Sequence, residues 1–188
     1  MFSDQLREMT MPAHQALEKR LVSHIKNITT PGQYVSLLKV MYGYHKPLEI
    51  ILQPYVRHDI SRRSADNILA DIAHFKPGYQ PDIRYCASLP EVADRADALG
   101  CLYVSEGSTL GGVHVANMIA RKLQIDTTAG FSFFLAYGDR TKEMWEQFKE
   151  LLNQPHTEEA KEKMLKSAAS TFTTLNNWIV SNEPVIAG

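Results

Sequence analysis

Residues 103–115 read YVSEGSTLGGVHV. Three glycines, Gly107, Gly111 and Gly112, fall within six residues, and the segments on both sides read as helix. An interior glycine costs a helix roughly 0.5–1 kcal/mol relative to alanine. A helix that tolerates three has a reason for close approach. Either a second helix packs through the small residues, or something flat lies against bare backbone at a kink. A phosphate cradle would need Gly-Lys-Ser/Thr at its end and a strand before it. Here Val113 and His114 follow Gly112, and no strand pattern precedes.

Working outward, helical periodicity covers most of the chain. Leu6, Met9, Ala13, Leu17 and Leu21 recur every three to four residues and predict a helix over 3–23. Tyr34, Leu37, Leu38, Met41, Tyr44, Leu48, Ile51 and Leu52 predict a second over 31–56. A third is expected over 61–74. Ser88, with Pro90 and Glu91 in the first turn, is expected to cap the helix leading into the glycines. The pattern resumes through VANMIARKLQ. Asp139 is expected to cap RTKEMWEQFKELLN, and Thr157 to open a last helix ending near Ser181. The loops near 76–81 and 153–156 are too short for domain linkers. The expectation is an all-α, single-domain helical bundle over 1–188.

Composition narrows the function classes. The chain has 188 residues, 44% apolar and 22% charged, with a formal net charge of -1. That profile is globular and lacks the basic excess of a nucleic-acid binder. No apolar run reaches about 18 residues, so no membrane span is expected. MFSDQLREMT carries charges where a signal peptide needs an apolar core, which predicts cytoplasmic residence. Cys86 and Cys101 are too few and too scattered for a zinc site or a disulfide scaffold, and read as reduced core residues.

A second stretch, TMPAHQALEKRL, sets His14 and Glu18 four apart, on one helix face. A carboxylate one turn away can orient an imidazole and leave its other nitrogen as a neutral metal ligand. The same spacing also suits an ordinary surface pair. Pro12 is expected to bend the helix or restart it just before His14. His45 and Glu49 repeat the spacing beside Pro47 and are read as structural. Paired Glu-x-x-His sites on separate helices, which a di-iron bundle uses, are not found.

Together, the His-x-x-x-Glu helix and the glycine-interrupted helix resemble the haem oxygenase family. LREMTMPAHQALE is similar to that family's proximal helix. LGCLYVSEGSTLGGVHV is similar to its distal helix, especially in the bacterial, phytochrome-associated branch. FFLAYGDRTKEMWEQF and EEAKEKM also resemble it. The resemblance implies that His14 ligates haem iron with Glu18 orienting it. It implies that Gly107 and Gly111, with Gly112, lay bare backbone over the distal haem face of a Gly-kinked helix. Arg7 and Tyr103 would meet the propionates, with Lys149 a further candidate. Many members carry an aspartate after the first distal glycine. Here Ser108 stands there, offering a donor and an acceptor but no charge, so proton delivery would rest on water and backbone. Ser167 and Met164 fall where the family has an asparagine and a phenylalanine near the distal pocket. His114 is read as either a supporting residue behind the haem contacts or a surface residue. Phe131, Phe133, Phe134 and Tyr137 are read as core or pocket wall, and Met41 and Trp145 as core.

The implied activity is that of a haem-degrading monooxygenase, with haem as substrate and cofactor and dioxygen as oxidant. Biliverdin, carbon monoxide and ferrous iron would be the products. Electrons would come from an external reductase or ferredoxin, and a phytochrome would be one receiver of biliverdin. The alternative on the same fold is a haem-binding or haem-trafficking protein without turnover.

Overall fold

Among the described residues every regular element is helical, with no strand. The computed structural model describes residues 1–56, 63–80, 82–183 and 186. In chain order the helices are α1 (Phe2–Asn27), α2 (Pro31–Leu52), α3 (Asp66–Phe75), α4 (Arg95–Gly107), α5 (Thr109–Leu123), α6 (Ser132–Leu135), α7 (Thr141–Leu152) and α8 (Glu158–Ser181). Short 3-10 turns cover Gln53–Tyr55 and Gly138–Arg140.

α1 buries Leu6, Thr10, Leu17 and Ile25 at helical spacing. Pro12 lies within it and the helix runs on unbroken, so the expected restart before His14 does not occur. The reason is position. Pro12 is exposed, so the carbonyl it leaves unpaired one turn back can be hydrated. α2 opens on a capping box. The Thr30 hydroxyl accepts from the Gln33 amide at 3.2 Å, the Gln33 side chain accepts from the Thr30 amide at 3.2 Å, and Pro31 begins the helix.

Two expected caps move. α4 begins at Arg95, not after Ser88, and its cap is Asp94, whose carboxylate accepts from the amides of Ala96 and Asp97 at 2.8 and 3.1 Å. The same carboxylate pairs with Lys163 of α8 at 2.8 Å. Asp139 caps nothing. It sits inside the Gly138–Arg140 turn, and Arg140 precedes α7 without a side-chain cap. Thr157 does open α8, accepting from the Ala160 amide. α3 starts at Asp66; residues 61–62 of its expected span lie outside the described residues.

α8 packs against α4, α1 and α2. Its closest partner is α4. A Cβ at Gly100 would collide with the Met164 carbonyl and stand 2.6 Å from the Ser167 hydroxyl, so the two backbones touch. Trp178 of α8 donates to the Val40 carbonyl of α2 at 2.8 Å. Arg20 of α1 donates to Asn176 of α8 at 2.9 Å. Tyr34 and Tyr44 of α2 are fully buried and donate to the carbonyls of Gly130 and Thr171. Cys86 and Cys101 are buried free thiols. No described helix is long and apolar enough to cross a membrane.

Candidate functional site

The glycine-rich segment resolves into two helices meeting at Ser108. The junction is mild. Ser108 keeps right-handed helical dihedrals, and its amide still reaches the Val104 carbonyl at 3.1 Å. The next turn tightens, with the Gly111 amide donating to the Ser108 carbonyl at 3.3 Å, three residues back. Gly107, Gly111 and Gly112 are absent from the positive-φ glycines, which are Gly78, Gly130 and Gly138. Backbone conformation does not demand glycine at any of the three.

Space demands it at one of the three, and the surroundings differ at each. Gly112 lies on the buried side with Ala116, Ile119 and Ala120. A Cβ there would strike the Phe134 carbonyl of α6. Its bareness serves helix packing against α6. At Gly107 a Cβ would rest 3.4 Å from the Trp145 ring. At Gly111 a Cβ would meet nothing within 4 Å. Beside Gly111, Leu110 and Val113 are each 47% exposed. The α4–α5 junction thus presents an open, uncovered apolar strip with a bare backbone position in it.

α5 packs against α1, the helix carrying His14. His14 is exposed, and its ring lies 5.5 Å from that of Phe172 in α8. Its nitrogens make no hydrogen bond among the described residues. Glu18, one turn on, is exposed and makes no hydrogen bond to His14. Met9, on the same helix, is 65% exposed.

Three further candidates gather where α1, α4 and α7 meet. Tyr103 is buried, its ring 5.8 Å from Trp145. Burial pushes its hydroxyl pKa up, opposed by hydrogen bonding with the Thr10 side chain and by the Arg7 guanidinium. The Asp4 carboxylate is held below its ordinary range, first by its bond to the N-terminal ammonium, with Arg7 and Lys149 adding to the effect. Lys149 pairs with Glu146 at 2.8 Å. Arg7 therefore lies within electrostatic reach of both Tyr103 and Asp4, and Lys149 within reach of Asp4. Met164 and Ser167 lie elsewhere. They are buried under Gly100, two turns before Gly107.

Ser108 is engaged on its own side of the junction. Its hydroxyl donates to the Ser105 carbonyl at 2.7 Å and accepts from Arg63 at 3.0 Å. Arg63 belongs to a polar group that no sequence motif announced. Its guanidinium also donates to the carbonyls of Ser105 and Phe133, each at 3.3 Å, and stacks 3.8 Å above the Phe133 ring. Glu106, buried, accepts from the Tyr137 hydroxyl at 2.7 Å. The turn that delivers Tyr137 carries Ala136 at φ 46, a strained value for a residue with a Cβ. Burial lowers Arg63 to about 10, with Glu106 opposing, so it stays charged at neutral pH. Burial and the Arg63 charge push His45 down to about 3, so it stays neutral. His45, Glu49, Arg63, Ser105 and Glu106 wall a cavity of about 30 Å³. His45 and Glu49, read from sequence as structural, face this cavity. His114 is exposed, and Phe131, Phe133 and Phe134 are buried.

These features fit haem. An exposed imidazole without a competing hydrogen bond suits its iron. Bare backbone and exposed apolar side chains suit its face, and a cationic rim suits its carboxylates.

Comparison with known proteins agrees. A family model described as "Heme oxygenase" matches residues 1–181. No curated protein sequence matches significantly. Among solved structures, the haem oxygenase of Leptospira interrogans is 19% identical, covering 99% of this chain and 98% of that one, with a TM-score of 0.72. The Neisseria meningitidis enzyme is 22% identical over 99% and 92%, with a TM-score of 0.73. Haem oxygenase-1 of Synechocystis, solved in complex with haem, is 16% identical over 98% and 93%, with a TM-score of 0.76. At these identities the structural likeness speaks for the fold.

Proposed function

The chain belongs to the haem oxygenase family, and from that premise we propose which of its residues carry the family's oxidative opening of haem to biliverdin. Bound haem supplies the iron that activates dioxygen and is itself the ring that is cut, leaving carbon monoxide and ferrous iron beside biliverdin. His14 would hold the iron through a ring nitrogen, and Glu18, one turn on, would orient the imidazole. Gly107 and Gly111 let the backbone of the α4–α5 junction approach the opposite face. Leu110, Val113 and Met9 cover apolar edges and exclude water. Arg7, Tyr103 and Lys149 take the propionates at the rim. Electrons arrive from an external reductase or ferredoxin, and a phytochrome is one acceptor of the product.

The observation that carries this reading is Gly111. It has ordinary helical dihedrals and open space where a side chain would go, between two exposed apolar residues. Alanine or leucine there would favour the helix by roughly 0.5–1 kcal/mol, so glycine is explained by what must approach. The test adds haem, then a reductant under air, while the absorption spectrum is followed. Decay of the Soret band with growth of a red biliverdin band is expected. A stable oxygenated complex that never bleaches would mean a haem carrier and overturn turnover by this chain.

A further inference from the structure

The buried polar groups that the proposed haem contacts leave unused gather at one place, behind the α4–α5 junction. We infer that Arg63 is a positioning residue that braces this junction and fixes the direction of the Ser108 hydroxyl. The link to haem rests on the reading above; the brace itself stands on geometry alone.

The guanidinium is a rigid planar fork. Here one terminal nitrogen bonds the Ser105 carbonyl and the Ser108 hydroxyl, while the other bonds the Phe133 carbonyl. Ser105 and Ser108 straddle Glu106 and Gly107, the last turn of α4. A single side chain thus spans the last turn of α4 and ties it to α6. Stacking on the Phe133 ring sets the plane of the fork. The titratable groups facing it are Glu106, with Tyr137 on that carboxylate, and the cavity-lining Glu49 and neutral His45. A cavity of about 30 Å³ with these polar walls has room for ordered water.

The consequence reaches Ser108. A hydroxyl has one proton. With Arg63 donating to its oxygen, that proton is directed to the Ser105 carbonyl. Ser108 then acts as a link in the junction and offers no proton toward the face that Gly107 and Gly111 leave bare. Lysine keeps the charge at position 63 but has no fork, so it should hold one of the three acceptors at a time.

Arg63→Lys and Arg63→Met separate a brace from general packing. In the haem-free protein, hydrogen exchange followed by mass spectrometry should rise about tenfold or more in peptides covering 103–112, more for Met than for Lys. Peptides from α1 and α8 should stay near wild type. With haem added, the pH midpoint of the ferric visible spectrum should move by about half a unit or more in the same order, because the junction's dipoles have lost their fixed direction. Unchanged exchange at 103–112 in both variants, or a uniform rise across the molecule, overturns the brace. Local loosening with an unmoved midpoint overturns its reach to the haem side. Should Arg63→Met fail to fold, Arg63→Lys carries the comparison. Should wild-type protein not bind haem, the proposed function fails, while the haem-free exchange still decides the brace.

Discussion

A side chain at position 111 would enter open space, whereas one at 112 would run into the Phe134 carbonyl. In the haem-free protein, Gly111→Ala should therefore raise stability by roughly 0.5–1 kcal/mol. Gly112→Ala should lower it by about 1–3 kcal/mol, the usual range for overpacking. Chemical denaturation of the two variants checks both signs. The distinction is legible in the sequence. Gly112, Ala116, Ile119 and Ala120 are spaced as one buried helix face, and Gly111 falls off it. Arg63 was not legible in the same way. Its partners sit at 105, 108 and 133, and only the fold brings them together. For the proximal side, His14→Ala should fold normally, since the residue is exposed, yet alter the ferric haem spectrum and abolish turnover. Glu18→Gln should cost less, within the roughly 10–100-fold typical of a group that orients a ligand. An unchanged haem spectrum in His14→Ala would remove His14 from the iron.

Among the helices, existence and type were legible, as were the starts of α1, α2 and α8, while those of α4 and α7 were not. The periodic apolar positions of α1, α2 and α8 are enough to announce them, because burial of one face drives their formation. Ser88 looked like a start because Pro and Glu followed it. Asp94 wins the competition because its carboxylate takes two amides and a lysine from α8 at once. The Lys163 half of that choice depends on tertiary structure. Asp94→Ala should cost about 1–2 kcal/mol at neutral pH, the upper range for a lost cap. The bond to Lys163, then those to the amides, holds the Asp94 carboxyl below its ordinary value. Its contribution is therefore fully present above the unfolded-state value near 4 and is lost as pH falls through the folded value. The stability gap between wild type and Asp94→Ala should be constant from about pH 5 to 7 and close below about pH 4. A gap that stayed open in acid would show that the carboxylate charge is not what caps α4.

At the scale of the whole molecule, the two halves of the proposed site lie on different helices, α1 and α5, which pack together. A ligand held by His14 on one and lying over Gly111 on the other acts as an added cross-link in the native state only. Binding of that kind stabilises by RT ln(1 + [L]/Kd), about 2.7 kcal/mol at a hundredfold excess over Kd. For a chain of this length about 1 kcal/mol moves the melting temperature by roughly 2–4 °C. Saturating haem should thus raise it by about 5–11 °C. Gly111→Leu provides the control. Its haem-free form should melt at or above the wild-type temperature, because leucine favours the helix and the first atom of its side chain meets no neighbour. Its haem-induced rise should shrink to a small fraction of the wild-type value, because the side chain now stands where the ring must lie. Calorimetry on four samples, wild type and variant with and without haem, reads both quantities. A Gly111→Leu protein that melts low without haem yet keeps the full haem-induced rise would make Gly111 a packing residue and move the haem face elsewhere on the molecule.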